Sequence, residues 1–347
     1  MEIRFYTQDM DFMGLIENQG SLVWTRKYFE PGEFELHAPI TEKNMEYLKL
    51  DNLIWKKDSK EAGVIEDRQL EENSTNRTIV AKGRFLSSYM DRRLIKSTVN
   101  FSGKVEVAMR QLLSGAVEIP GVVLGDLQGF AETVTFQATY KNLLTYIEKL
   151  GRSAGLGFRF RPDFNEKKIY FEVYKGIDRT ASQIVTNRVT FSESYANLNN
   201  AILRENNQLY KNVAYVGGEG EGAQRVYVQV GSAEGLDLRE VFVDARDLRS
   251  DEIGAEEYRA QLTQRGLDEL TKDTMSRSLE CDTGANVNFV YRKDYDLGDI
   301  VTVEKKAWGI QENLRITEIQ EVYEYGEMKV VPTLGTAIPE TIDWSDD

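Results

Sequence analysis

Asp296-Leu-Gly-Asp-Ile-Val-Thr-Val303 and then Leu314-Arg-Ile-Thr-Glu-Ile-Gln-Glu-Val-Tyr323 decide how the fold is read. Ile300, Val301 and Val303 form a β-branched run opened by a Gly-Asp turn; Ile316, Ile319 and Val322 form a second run with polar residues between them. β-Branched side chains suit a pleated surface better than a helix, so both runs read as strands. Gly309 marks the break between them, and two further strands are expected within Met328–Pro332. The stretch from Asp296 to Gly335 is thus expected to be a β-meander in a mainly β protein.

Working back to the N-terminus, the first hundred residues read almost wholly as strands and turns. Phe34, Leu36 and Ala38 alternate with Glu33, Glu35 and His37, the period-two pattern of a half-buried strand. Pro31-Gly32 turns the chain before it and Pro39 ends it. Ile3, Phe5, Leu22-Val-Trp24, Ile54-Trp55, Gly63-Val-Ile65 and Thr78-Ile-Val-Ala81 mark further strands. Short strands with turn signals between them predict a barrel or sandwich.

The middle has a different period. Val105, Ala108, Met109 and Leu112 fall at helical spacing behind Ser102 as the expected N-cap, with Gly115 able to end the helix. Tyr140, Leu143, Leu144, Ile147 and Leu150 form a second apolar stripe, capped by Thr139 and stopped by Gly151. Leu156, Phe158 and Phe160 then alternate with Gly157, Arg159 and Arg161 and turn back into Ile169, Phe171 and Val173. Residues 99–180 therefore predict an α+β insertion with its own hairpin. Strands resume over Gln183–Phe191, Ala201–Glu205, Asn212–Val216 and Arg225–Val230. A third helix is expected over 250–272, capped by Ser250, with Asp251 and Glu252 favouring its positive end and Ile253, Tyr258, Leu262 and Leu270 on its buried side.

Composition bounds the function. A chain of 347 residues exceeds one ordinary core, and no run of 18 uncharged apolar residues or signal-peptide-like leader occurs in it, which predicts a cytoplasmic product without a membrane anchor. The net charge of −14 disfavours nucleic-acid binding, which needs clustered cations, and suits a surface that DNA passes without sticking. Cys281, the single cysteine, rules out an internal disulfide and reads as a small buried residue; His37, the single histidine, falls on the polar face of its strand. Gly217-Gly-Glu-Gly-Glu-Gly222 lacks the Lys-Ser or Lys-Thr of a phosphate loop and reads as a hairpin tip. Asp294-Tyr-Asp-Leu-Gly-Asp299 resembles the start of a calcium loop, but its glycine falls one place early and Lys305 stands where the bidentate Glu should be. Asn73, Asn76 and Asn100 match glycosylation sequons and mean nothing without secretion. No residue is assigned a catalytic, cofactor-binding or metal-binding role, and no pair among 57 acidic residues can be singled out as a glycosidase acid and base.

Several motifs follow one another in a telling order: Ser21-Leu-Val-Trp-Thr-Arg-Lys-Tyr28, Pro31-Gly-Glu-Phe-Glu-Leu36, Gly63-Val-Ile-Glu66, Lys82-Gly-Arg-Phe-Leu86 with Arg92-Arg93, Gly176-Ile-Asp-Arg-Thr180, Phe191-Ser-x-Ser-Tyr-Ala-Asn-Leu198 and the closing Leu297-Gly-Asp-x-Val301. In this order they resemble the siphophage distal tail-tip or baseplate hub proteins over nearly the whole chain. The resemblance implies two small tube-type β-barrels, residues 1–98 and 181–335 with the helix at 250–272, separated by the α+β insertion 99–180 and followed by a C-terminal tail, 336–347. It also implies a structural protein rather than an enzyme: a homotrimeric ring that closes or extends the tail tube, supports host attachment and lets DNA through its lumen. The implied partners are a distal tail protein, tail tube, tape measure and receptor-binding proteins, with assembly in the bacterial host cytoplasm and residence at the virion tail tip. No cofactor is expected. A carbohydrate- or receptor-binding tail module is the alternative, because Tyr and Trp are plentiful; a cell-wall hydrolase ranks third.

Overall fold

The computed structural model describes the chain except residues 17–18, 73–76, 117, 251–252, 273–275, 283–287, 325 and 336–347. Asn73, Asn76, the helix-start residues Asp251 and Glu252, and the C-terminal tail therefore lie outside the described residues.

The closing meander is present, with longer strands than expected. Ile300–Lys305 pairs antiparallel with the first part of Ile310–Glu324, a strand of 15 residues. The two strands expected in Met328–Pro332 are one, Glu327–Gly335, in which Pro332 sits opposite Ile319 without interrupting the ladder. The second part of the long strand lies between Glu327–Gly335 and Ser21–Lys27, so the closing segment pairs directly with the N-terminal segment. The path of paired strands runs Asn199–Asn206, Ser276–Asp282, Glu327–Gly335, Ile310–Glu324, Ser21–Lys27, Glu33–Pro39, Arg77–Arg84 and Asp67–Glu72. Among the described residues no sheet closes on itself: Asp67–Glu72 and Asn199–Asn206, at the ends of this path, each pair on one side only. Read alone, the chain has open sheets where barrels were expected.

A second sheet, of Phe12–Ile16, Ile3–Tyr6, Leu53–Lys56 and Gly63–Val64, covers the N-terminal part of the path. Ile3, Phe5 and Ile54 pack between the two layers against Leu22, Trp24, Phe34 and Leu36, as the alternation required. The middle segment holds the expected helices with shifted ends. Helix Val105–Gly115 starts after Lys104, because Ser102 belongs to strand Val99–Lys104 and pairs its hydroxyl with that of Thr135 at 2.9 Å; Gly115 ends it without a left-handed turn. Helix Leu143–Ala154 is capped by Asn142, whose Oδ1 accepts from the Thr145 N–H at 3.0 Å, while Thr139 bonds Thr98 instead. Gly151 does not stop this helix. It lets the helix pass the Leu156 carbonyl, and the left-handed Gly155 (φ 65°) closes it. The third helix spans Ala255–Lys272 rather than 250–272, because the Ser250 N–H and hydroxyl both bond Glu219. Of the strand expected over Gln183–Phe191 only Thr190–Ser192 forms: the Gln183 amide oxygen accepts from the N–H groups of Val185 and Thr186, turning the chain and leaving Ile184 and Val185 in solvent.

Tyr28, directly after strand Ser21–Lys27, joins these parts. Its fully buried ring lies against Gly157 and Gly298, its hydroxyl accepts from the Gly176 N–H at 3.1 Å and donates to the Gly155 carbonyl at 3.1 Å, and the Arg315 guanidinium lies 5.2 Å from the ring centroid. Gly176 and Gly298 touch backbone to backbone; a Cβ on Gly176 would stand 1.8 Å from the Gly298 carbonyl oxygen. Asp299 then clasps the same crossing, accepting from the Ile177 N–H at 2.8 Å and the Arg179 guanidinium at 2.6 Å. Gly176→Ala should therefore lower the unfolding free energy by about 3 kcal/mol or more, whereas Gly309→Ala, left-handed but in open space, should cost only about 1 kcal/mol. Urea midpoints of the two variants check the order; equal losses would disprove the crossing's importance.

Candidate functional site

Strand alternation gives the eight-strand path two different faces. On one, register places in three of the cross-strand rows Ile202, Glu280, Thr333, Glu318 and Lys27; Val322, Val23, Glu35, Lys82 and Asp67; and Glu324, Ser21, His37, Val80 and Gln69. Counting Glu33, Glu71, Glu327, Arg84, Lys329 and Arg204 from the same registers, the described residues of this face include eight carboxylates and five cations. It is a mixed face with an acidic excess. Glu35 is held below the usual carboxylate range by the His37 ring at 2.6 Å and the Lys82 ammonium at 2.9 Å. Burial pushes Glu318 up to about 7, and Glu33, Glu30 and Glu280 reinforce the shift against the pull of Lys27.

The other face is charged where the two halves of the chain meet. Arg26, almost fully buried, bonds Asp296 at 2.6 Å, Tyr291 at 2.8 Å and Glu61 at 3.3 Å. The Tyr291 hydroxyl donates to Glu321 at 2.9 Å, and Glu321 also receives Lys56 and Arg292, each at 2.8 Å. Three carboxylates and three cations thus balance, as burial demands. Burial lowers the Lys56 ammonium against the pull of Glu321 and raises Glu61 against the pull of Arg26; it would raise Asp296 too, but Arg26, the Leu297 N–H and Arg292 together hold Asp296 low. Beside this cluster lies a groove of about 1010 Å³ that Lys56, Arg292 and Tyr323 line together with Glu2, Lys57 and Asp58.

The residues noted in the sequence divide cleanly. His37 lies on the polar face as expected, bound to Glu35. The carboxylates of the calcium-like loop are used within the chain: Asp294 accepts from the Val290 N–H, Asp296 holds Arg26 and Asp299 clasps Ile177 and Arg179. Gly217–Gly222 leads from strand Val213–Gly217 toward strand Tyr227–Val230 as a hairpin tip, with Glu219 receiving Arg249 and Ser250. Cys281 is buried in strand Ser276–Asp282. The charged cluster, the polar edge strand Asp67–Glu72 and the glycine crossing escaped the sequence reading; the adjacency of Arg26 to the Leu-Val-Trp run was its one available sign.

With a folded pKa of about 7 against 4.5 unfolded, Glu318 binds its proton more tightly in the native state, so its contribution is favourable below pH 4.5 and is lost as pH rises toward 7. Glu318→Gln should leave stability unchanged near pH 5 and raise it by about 1 kcal/mol at pH 8, after allowance for partial solvent screening. Urea denaturation at the two pH values measures this, and an equal effect at both would refute it.

A family model described as Siphovirus ReqiPepy6 Gp37-like protein matches residues 2–336. No curated protein matches the chain. Among solved structures, the chain is similar to the 43 kDa tail protein of prophage MuSo2 from Shewanella oneidensis, at 14% identity over 96% of this chain and 98% of that one, with a TM-score of 0.60. It is also similar to the tail protein from Neisseria meningitidis MC58, at 12% identity over 96% of both chains with a TM-score of 0.62. Prophage tail protein gp18 from Listeria monocytogenes EGD-e gives 14% identity over 96% of this chain and 94% of that one, with a TM-score of 0.56. At such identities the likeness is one of fold, over whole chains. The matched family model spans the glycine crossing, the polar face and both open edges, and the chain belongs to the Siphovirus ReqiPepy6 Gp37-like protein family.

Proposed function

We propose that this chain is a structural phage tail protein that assembles as a homotrimeric hub ring at the tail tip. The observation that carries the reading is the open eight-strand path, with one polar, mildly acidic face and, among the described residues, a strand at each end that pairs with a neighbouring strand on one side only. An uncovered edge is a row of unused backbone donors and acceptors, which a monomer hides and an assembly uses. Joining Asp67–Glu72 of one copy to Asn199–Asn206 of the next is a head-to-tail contact, and such contacts form a closed ring when the rotation between copies closes. Residues 1–98 and 181–335 then serve as two tube-type barrel units, each completed by a neighbour, with 99–180 outside the ring and 336–347 as the tail segment. Three copies present six units to a sixfold tail.

In this arrangement the polar face lines the lumen. Like charge lets DNA slide without specific binding, and intermingled cations keep the strands of the lining from repelling one another. The ring meets the distal tail protein, tail tube, tape measure and receptor-binding proteins at the virion tail tip after assembly in the host cytoplasm. The named tail proteins from Shewanella, Neisseria and Listeria share the fold over nearly their whole length, which supports this reading. Its chemistry is assembly, and it calls for no catalytic group.

Light scattering and electron microscopy of the purified chain, alone and mixed with its tail partners, should give a threefold ring. Leu70 and Ile202, half exposed on the two edge strands, are the positions to test. Leu70→Asp with Ile202→Asp should weaken ring formation at least about tenfold while leaving the melting temperature of the monomer nearly unchanged. A sixfold ring of this protein alone, or a ring indifferent to both edges, would overturn the proposal.

A further inference from the structure

Strands Tyr227–Val230, Val213–Gly217 and Glu240–Asp244 form a small sheet of their own. One face packs under helix Ala255–Lys272, where Ala214, Val216, Val230 and Val243 meet Tyr258 and Leu262. A sheet covered on one side ordinarily shows polar residues on the other. This one shows aromatic rings. Tyr215 is in register with Gln229 on one side and Phe242 on the other, and one step along Tyr227 and Asp244 flank Gly217. The rings are open to solvent: Tyr215 is 37% exposed, Tyr227 52% and Phe242 56%.

Arg225 holds the array in place. Its guanidinium lies across Gly217, where a Cβ would stand 2.7 Å from Cζ, and donates to the Gly217 carbonyl at 2.9 Å and the Gly218 carbonyl at 3.0 Å. It also bonds Asp244 at 2.7 Å, and its Cζ lies 5.6 Å from the Tyr227 ring centroid and 5.4 Å from that of Phe242. Rings fixed by a bound cation lose little freedom when a ligand stacks on them. Phe242 and Asp244 also form one wall of a cleft of about 360 Å³, with Asn142 and Thr145 of the insertion on its far side.

We propose that this face binds a neutral glycan. A pyranose ring has an apolar face of C–H bonds and a rim of hydroxyls; Tyr227 and Phe242 would take the first, and Arg225, Asp244 and Gln229 the second. A protein partner fits less well. Three strands about 4.8 Å apart and four or five residues long cover about 200 Å², against roughly 800 Å² per partner in a stable interface. A nucleic acid or phosphate polymer fits less well too, since Arg225 and Arg246 are offset by Asp244, which binds both, and by Glu240 on the same face of its strand, and leave no basic surplus. The inference stands on this sheet alone and holds whatever the oligomeric state of the chain.

Chitotriose, maltotriose and mannotriose are the probes, added to the full chain and followed by aromatic fluorescence and saturation-transfer NMR. At least one should bind saturably, with its ring C–H protons nearest the protein, and Tyr227→Ala with Phe242→Ala should weaken it at least about tenfold. Tyr227→Phe keeps the stacking face and should stay within about threefold. Because the two rings are half exposed, the double variant should melt within a few degrees of the parent; if it does not, Phe242→Gln alone provides the same comparison. No binding of any probe, binding unaffected by these changes, or self-association of the chain abolished by them would overturn the proposal.

Discussion

The contact on which the structure depends is the passage of Gly176 against Gly298 beneath the ring of Tyr28. Three segments distant in sequence meet there: the end of strand Ser21–Lys27, the exit from the insertion and the turn into the closing meander. A Cβ on Gly176 would strike the Gly298 carbonyl and one on Gly298 would strike the Tyr28 ring at 2.2 Å, and the left-handed turn at Gly298 (φ 91°) suits glycine for a further reason. Once Tyr28 is seated, the strand before it has one register available beside Ile310–Glu324, because a slip by one residue would exchange its two faces. The long strand is therefore shared between the halves as a consequence of a packing contact at its edge.

That register explains the buried charges. Alternation puts Trp24 and Arg26 on the core side, and the long strand answers with Ile319 and Glu321. Arg26, Lys56 and Glu61 come from the N-terminal half; Tyr291, Arg292, Asp296 and Glu321 come from the closing half. Apolar residues of similar volume could stabilise the seam as well or better, but they would accept many partners; a balanced set of charges is satisfied in one arrangement and costly in any other. The cluster thus bears on which surfaces join more than on how tightly they join.

How much of this was legible follows from the range of each signal. Phe34, Leu36 and Ala38, or Leu143, Ile147 and Leu150, announce their elements through local period, and the structure buries all six. Helix ends were read less well, since Ser102, Thr139 and Ser250 are good caps in isolation but found partners in neighbouring strands or in Glu219. Strand Asp67–Glu72 was invisible because Asp-Arg-Gln-Leu-Glu-Glu has a single apolar residue; it is held by backbone pairing with Arg77–Arg84, which leaves no mark in side-chain pattern. The ordered glycine and aspartate motifs were seen as a family resemblance, but their physical reason, that Gly176-Ile-Asp-Arg and Leu-Gly-Asp299 bond each other, needed the crossing itself.

Three features of this chain run against what an isolated soluble protein tends to keep. Among the described residues its longest sheet path ends in two strands paired on one side only, its small sheet of three strands exposes aromatic rings, and burial, helped by repulsion from Glu30, pushes both Glu318 and Glu148 up to about 7. Edges and apolar patches invite non-specific association, and carboxylates of raised pKa cost stability at neutral pH. The aromatic face lies on a different sheet from the edges, so one surface can be consumed in assembly while the other stays in solvent. The topology thus keeps the sheet with open edges and the sheet with exposed rings on separate surfaces of one chain.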